Sequence, residues 1–237
     1  MKASEFNTVF RQGSIWVADF QPSVRQVMAL WFAKWASRLD GEPSVLPAAA
    51  DLPADIPRVT LTSADRIWRL EVAPHRVNLI WSGEPTDDPL KASADFSAAV
   101  FEVVEPFIAL SEHIRVSRLA YVVRRYHAVK DPGRQLAQYF CRPELLQGPL
   151  NRPENFELHA HKAYQPQGLP VVNSWVRWRT ALVGGSKEPC VFMENDLNTL
   201  AESMPSASYR LDEVKSFFAL AAAEADAILA FYLKDET

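Results

Sequence analysis

The residues best suited to chemistry are Glu157, His159 and His161, in the run Glu-Leu-His-Ala-His. On a strand, residues two apart share a face, so one carboxylate and two imidazoles would line up there. A His-x-His pair of this kind can give two ligands to zinc or another borderline metal, with the acid as a third ligand or an orienting partner. That set would suit a metal-dependent hydrolase. On a strand that faces water the same residues need no such role. His75, His113 and His127 occur singly, and no remote Cys or His cluster completes the set.

A second set is basic. Arg115, Arg118, Arg124 and Arg125 lie on and around one strand, interleaved with Tyr121, Tyr126 and His127. Alternation places Arg118 and Arg124 on one face and Arg115 and Arg125 on the other. Arg177 and Arg179 repeat the theme in Trp-Val-Arg-Trp-Arg, with Trp178 turned the other way. If those two strands were neighbours, their arginines would form one anion-binding surface for a nucleotide phosphate or single-stranded nucleic acid. The competing reading is structural pairing. Six bases and one acid lie between Arg115 and Arg134, whereas ten acids and three bases lie from Glu188 to Thr237. The first strand is also apolar on both faces, as an interior strand would be, which favours pairing.

Other signatures of catalysis are missing. Asp19, Asp65, Glu194 and Asp196 do not form the spaced acid pair that general acid–base work needs. Gly184-Gly185-Ser186 lacks the strand–loop–helix context and the lysine of a phosphate-binding loop. There is no Gly-x-Ser-x-Gly elbow, and neither Cys141 nor Cys190 carries a nucleophile motif. Two cysteines are too few for a disulfide framework and read as free buried thiols. Of seven tryptophans, Trp31 and Trp35 stand four apart on a helical face and read as core, while Trp16, Trp68 and Trp81 sit in strand-like runs where packing suffices.

The chain has 237 residues, 48% hydrophobic and 23% charged, which excludes wholesale disorder. A net charge of −4 argues against a general nucleic-acid coat, and eight glycines against seventeen prolines disfavour glycine-rich phosphate loops. The N-terminus has no uninterrupted apolar stretch of signal-peptide type, and no window reads as a membrane span. A cytoplasmic protein with reduced thiols is expected.

The elements that must position these residues follow from periodicity. A short strand at Ile15–Phe20 precedes a helix over Ser23–Arg38. Asp40 to Pro57, with four acids, four prolines and no base, is a loop. Runs at Val59–Leu61, Ile67–Val72 and His75–Trp81 form a meander, and Gly83–Pro89 is a second loop. A helix over Phe96–Leu110 contains Glu105-Pro106, where a kink or break is expected. A strand at Ile114–Tyr126 leads to Asp131-Pro132, a cap and first-turn proline for a helix reaching Phe140. Cys141–Pro153 is irregular. Strands at Asn155–Tyr164, Val171–Leu182 and Pro189–Leu197 follow, with a turn at Gly184-Gly185-Ser186, and the chain closes on a helix from Arg210 to about Lys234. This order predicts α+β architecture: a mainly antiparallel sheet with two or three long amphipathic helices packed on it. Two halves, 1–130 and 131–237, share a meander followed by a helix within one compact unit. Leu30, Trp31, Val103, Phe107, Phe217 and Leu229 should be among the most buried side chains.

The stretch Val116-Ser-Arg118-Leu-Ala-Tyr-Val-Val-Arg124-Arg125-Tyr126 resembles the arginine–aliphatic–x–x–arginine–tyrosine strand of a sporadically distributed bacterial family of similar length that has no established biochemical role. The hairpin Leu61–Trp68–Leu70 and the run Val191-Phe-Met-Glu194-Asn-Asp196 before a long terminal helix are also similar to its layout. Arg118 and Arg124 are spaced more widely here than in that pattern. The resemblance transfers no catalytic residue, and its patchy distribution implies an accessory role such as conflict or phage defence. With no catalytic set assembled, the expectation is a non-enzymatic binding or adaptor protein without a cofactor. Its partner would be another protein or a second copy of itself, with nucleic acid as the alternative.

Overall fold

Burial alternates along most strands, as it does when one face of an antiparallel sheet is covered and the other is not. The computed structural model describes residues 1–19, 21–46, 52–84, 89–148, 151, 153–184 and 187–233. Most of the expected turn at Gly184-Gly185-Ser186, the expected ends at Phe20 and Lys234, and parts of the three expected loops lie outside them. The strands are β1 (Asn7–Ala18), β2 (Ser44–Val45), β3 (Val59–Thr62), β4 (Trp68–Ala73), β5 (Arg76–Ser82), β6 (Arg115–Ala128), β7 (Glu157–Tyr164), β8 (Val172–Leu182) and β9 (Pro189–Thr199). They form one sheet in the order β2-β3-β4-β5-β1-β6-β9-β8-β7, with every pairing antiparallel. The helices are α1 (Val24–Leu30), α2 (Pro89–Ile108), α3 (Pro132–Phe140) and α4 (Leu211–Tyr232). The architecture is α+β.

Apart from the two-residue β2, the order β-α-βββ-α occurs twice, as β1, α1, β3–β5, α2 and then as β6, α3, β7–β9, α4. The two runs meet where β1 pairs with β6, from Asn7 opposite Tyr126 to Ala18 opposite Arg115. All four helices lie on one face. Ile15, Leu61, Leu70, Val77, Tyr121 and Leu197 point into a core shared with Val27 of α1, Phe96 and Phe107 of α2, and Phe217 and Phe218 of α4. A smaller cluster gathers Phe6, Val176, Trp178, Val191 and Met193 beneath Leu136 of α3 and Leu229 of α4. At Gly13 the helices come so close that a Cβ would stand 2.9 Å from Val100 Cγ2 and 3.1 Å from Phe218 Cε1.

The first helix departs from expectation. Ser23 caps it, its hydroxyl accepting from the Gln26 N–H at 3.2 Å. From Trp31 to Trp35 the helix then widens into a π-helical turn, in which Ala36 N–H donates to Trp31 O at 2.9 Å. Val27 of α1 and Trp35 of the wider turn point into the core, and Leu30 and Trp31 are only half-buried, contrary to expectation. Val103, Phe107, Phe217 and Leu229 are buried as expected.

In α2, Pro106 sits within the last turn without ending the helix. Proline has no N–H, so the Glu102 carbonyl loses its helical donor. Trp35 Nε1 donates to that carbonyl instead, at 3.1 Å. Asp131 caps α3 as expected, accepting from Arg134 N–H.

Cys141 and Cys190 are unpaired thiols, and burial raises the pKa of Cys190 above its usual value. Among the described residues no helix is long and apolar enough to cross a membrane. The sheet has two unlike edges: β2 is two residues long, whereas β7 runs for eight with no strand among the described residues on its outer side.

Candidate binding face

None of the four helices covers the other face of the sheet among the described residues, and most of the sequence-predicted residues gather there. Strand register aligns them in rows. One row runs Phe10, Arg124, Glu194, Arg177, His159 across β1, β6, β9, β8 and β7. The next runs Gln12, Val122, Asp196, Trp175, His161. A third, Asn78, Ser14, Ala120, Asn198, is small and mostly polar, and all four residues are buried.

The two arginine strands are not neighbours. β9 runs between β6 and β8, and its Glu194 accepts from Arg124 Nε at 2.7 Å and from Arg177 Nη1 at 2.5 Å. Burial alone would raise the Glu194 pKa. The hydrogen bonds and charges of Arg124 and Arg177 outweigh it and hold the carboxyl below its usual range. Asp196, two residues on, goes the other way: burial pushes its pKa up, helped by Glu194, because Arg177 stands farther off at 3.9 Å. Arg118 donates to Asn198 Oδ1 at 2.7 Å and to the Thr199 carbonyl at 3.2 Å.

Aromatic rings fix the guanidiniums from below. Arg124 lies 4.2 Å from the Phe10 ring, Arg118 4.8 Å from Trp16, Arg177 5.2 Å from Trp175 and Arg179 4.7 Å from Phe192. Such stacking holds a flat cation in one orientation. Arg179 is exposed, with no ion pair among the described residues.

Two of the expected arginines are elsewhere. Arg125 is on the helix-covered face, where its guanidinium meets Asp226 of α4. A β-bulge at Ser117, between Trp16–Arg118 and Val17–Val116, resets the alternation, so Arg115 does not follow Arg125 as expected. Arg115 instead clamps a loop, donating to Asp19 at 3.0 Å and to the Ala207 carbonyl at 2.7 Å.

Glu157, His159 and His161 share the open face, as alternation required. His159 Nε2 is 3.8 Å from Glu157 Oε2, but His161 stacks on Trp175 with ring centroids 4.2 Å apart and its Nε2 contacts Asn173 Oδ1 at 3.2 Å. Among the described residues no group of three or more His, Cys, Asp or Glu is placed to hold a metal ion.

The open face is concave. Asp65 and Ile67 of the β3–β4 turn, and Leu182 at the end of β8 with Val183 and Gly184 after it, line the same cleft of about 780 Å³, together with Tyr126 and Phe192. In a flat sheet, β4 and β8 would be five spacings, or about 24 Å, apart.

Sequence reasoning missed Trp16, Phe10 and Phe192 as members of this face. Their only signal is placement opposite an arginine, which needs the strand order. No family model and no curated protein matches the chain.

Proposed function

We propose that this protein is a non-enzymatic binding or adaptor module that takes a protein partner on the concave open face of its sheet. The observation that carries this reading is Glu194 set between Arg124 and Arg177. A surface for phosphates needs uncompensated cations, because affinity comes from counterions released as phosphates are neutralised. Here Arg69, Arg124 and Arg177 are each bonded to a carboxylate of the same face, Glu71 or Glu194, which leaves Arg118 and Arg179 as arginines of that face without an ion pair among the described residues. A mixed-sign surface with oriented arginines and large rings is instead the composition of protein interfaces, where Trp, Tyr and Arg dominate the energetics.

The test is capture from extracts of the native host with wild type, with an Arg177→Glu/Arg179→Glu variant, and with a Phe32→Ser control on the helix side. The expected result is a protein retained by wild type and control and lost by the charge-reversed face. Fluorescence anisotropy with a mixed-sequence single-stranded oligonucleotide at low salt should show no binding. Tight binding that falls steeply with salt would replace this reading with nucleic-acid recognition. Turnover in an activity panel with divalent metals, abolished by His159→Ala or His161→Ala, would replace it with metal-dependent hydrolysis.

A further inference from the structure

Among the described residues, the helix-covered face holds two buried guanidiniums and one carboxylate in contact with them. Arg11 on β1 and Arg125 on β6 are each 3% exposed. Arg11 pairs across the ladder with Val123, so Arg125 stands two residues along on the same face, and Tyr121 two residues the other way. Arg125 bonds Asp226 of α4, and its Nη1 donates to Asn195 Oδ1 at 3.1 Å. Arg11 has no carboxylate among the described residues. Its guanidinium lies 5.3 Å from the Trp81 ring and interacts with the Tyr121 hydroxyl, while its Nε is buried without an acceptor among the described residues. Asn195 has no exposed surface, and its Nδ2 is also buried without an acceptor. Among the described residues two guanidiniums are thus matched by one carboxylate, which bonds Arg125, and Arg11 Nε and Asn195 Nδ2 have no acceptor. A guanidinium does not shed its proton, and a buried cation without a counter-charge costs far more than folds tolerate. Burial depresses the pKa of Arg125 below its usual value; Asp226 and Tyr121 oppose the shift, and the like charge of Arg11 adds to it.

We propose that the cluster of Arg11, Arg125 and Asn195, on the sheet face that α2 and α4 cover, is an internal binding site for a small oxyanion, a phosphate or carboxylate group. Arg11 Nε and Asn195 Nδ2 supply its hydrogen bonds, and the planar fork of Arg11 suits either anion. Asp226, whose side chain is 47% exposed, marks the side from which the anion enters. The site lies on the opposite side of the sheet from the partner-binding face and does not depend on it.

The experiment starts from protein dialysed free of phosphate and carboxylates. Inorganic phosphate and acetate are titrated separately by calorimetry at constant ionic strength held with chloride, and melting temperatures are recorded in parallel. Saturable one-site binding with a rising melting temperature is expected. Phosphate as the tighter ligand assigns a phosphate group, and acetate a carboxylate. Arg11→Met keeps the apolar stem and removes the charge. It should weaken binding by about tenfold or more, and without anion it should melt no lower than wild type, since it removes an unpaired buried charge. Phosphorus NMR line broadening on the wild type reads binding independently of any variant. The proposal falls if the wild type binds neither anion, if Arg11→Met binds as tightly as wild type, or if Arg11→Met melts well below wild type in anion-free buffer.

Discussion

Arg124 and Arg125 are consecutive residues on β6 with the same side chain, and they stand in different media. Arg124 rests on Phe10 at the open face with its side chain 41% exposed, while Arg125 is enclosed beneath α4. Water can replace a lost partner of the first but not of the second. An ion pair therefore matters according to which way the pleat turns it, and the same arginine serves as a surface element on one side and a structural commitment on the other.

The comparison breaks most visibly at Asp226. Asp226→Ala should cost about 3 kcal/mol in chemical denaturation, because it leaves Arg125 charged and buried. An effect below about 1 kcal/mol would show that Arg125 behaves like Arg124 after all. Gly13→Ala probes the covered side without charge. Its methyl group would press Val100 and Phe218, and the expected loss is about 1–3 kcal/mol, read from the melting transition.

On the open face Glu194→Gln should cost about 1 kcal/mol at neutral pH, since Arg124 and Arg177 reach water once freed. Its pH dependence has a definite sign. The folded pKa of Glu194 lies below its ordinary 4.5, so its contribution is complete above that value and is lost as pH falls through the folded pKa. Asp196 has a folded pKa above its ordinary 3.8, so folding disfavours its ionised form, and that cost disappears as pH falls through the raised value. Asp196→Asn should therefore be neutral or stabilising by up to about 1 kcal/mol at pH 7, with the gain vanishing in acid. A denaturation series from neutral to acid pH on both variants checks the opposite signs. Smallest of all, Arg179→Ala should leave the melting temperature within a degree while weakening partner capture.

Local elements were largely legible in the sequence, because a period of two or of 3.6 records which side of a segment is buried. β8, β9, α3 and α4 match their expected spans closely. The first half of β1 was not legible: Arg11 faces the core and Gln12 and Ser14 face outward, so polar residues occupy both sides and hide the alternation. The π-helical turn at Trp31–Trp35 was invisible for a related reason, since Trp31 and Trp35 fit an α-helical stripe equally well. Pairing order is a long-range property, and nothing in either segment says that β9 inserts between β6 and β8. Hence Glu194 was readable as an acid but not as the bridge, and Arg11 was not singled out at all.

The unequal edges of the sheet set a valence. β2 offers two residues of backbone, too short a template for another strand, whereas β7 offers eight. A chain with one adhesive edge can join one other strand and then has nothing left to offer. If copies of this protein meet edge to edge, assembly stops at a pair related by a two-fold axis and cannot propagate into a fibre. The same edge taken by a strand of another protein would exclude that pair, so the two unions would be mutually exclusive by geometry alone.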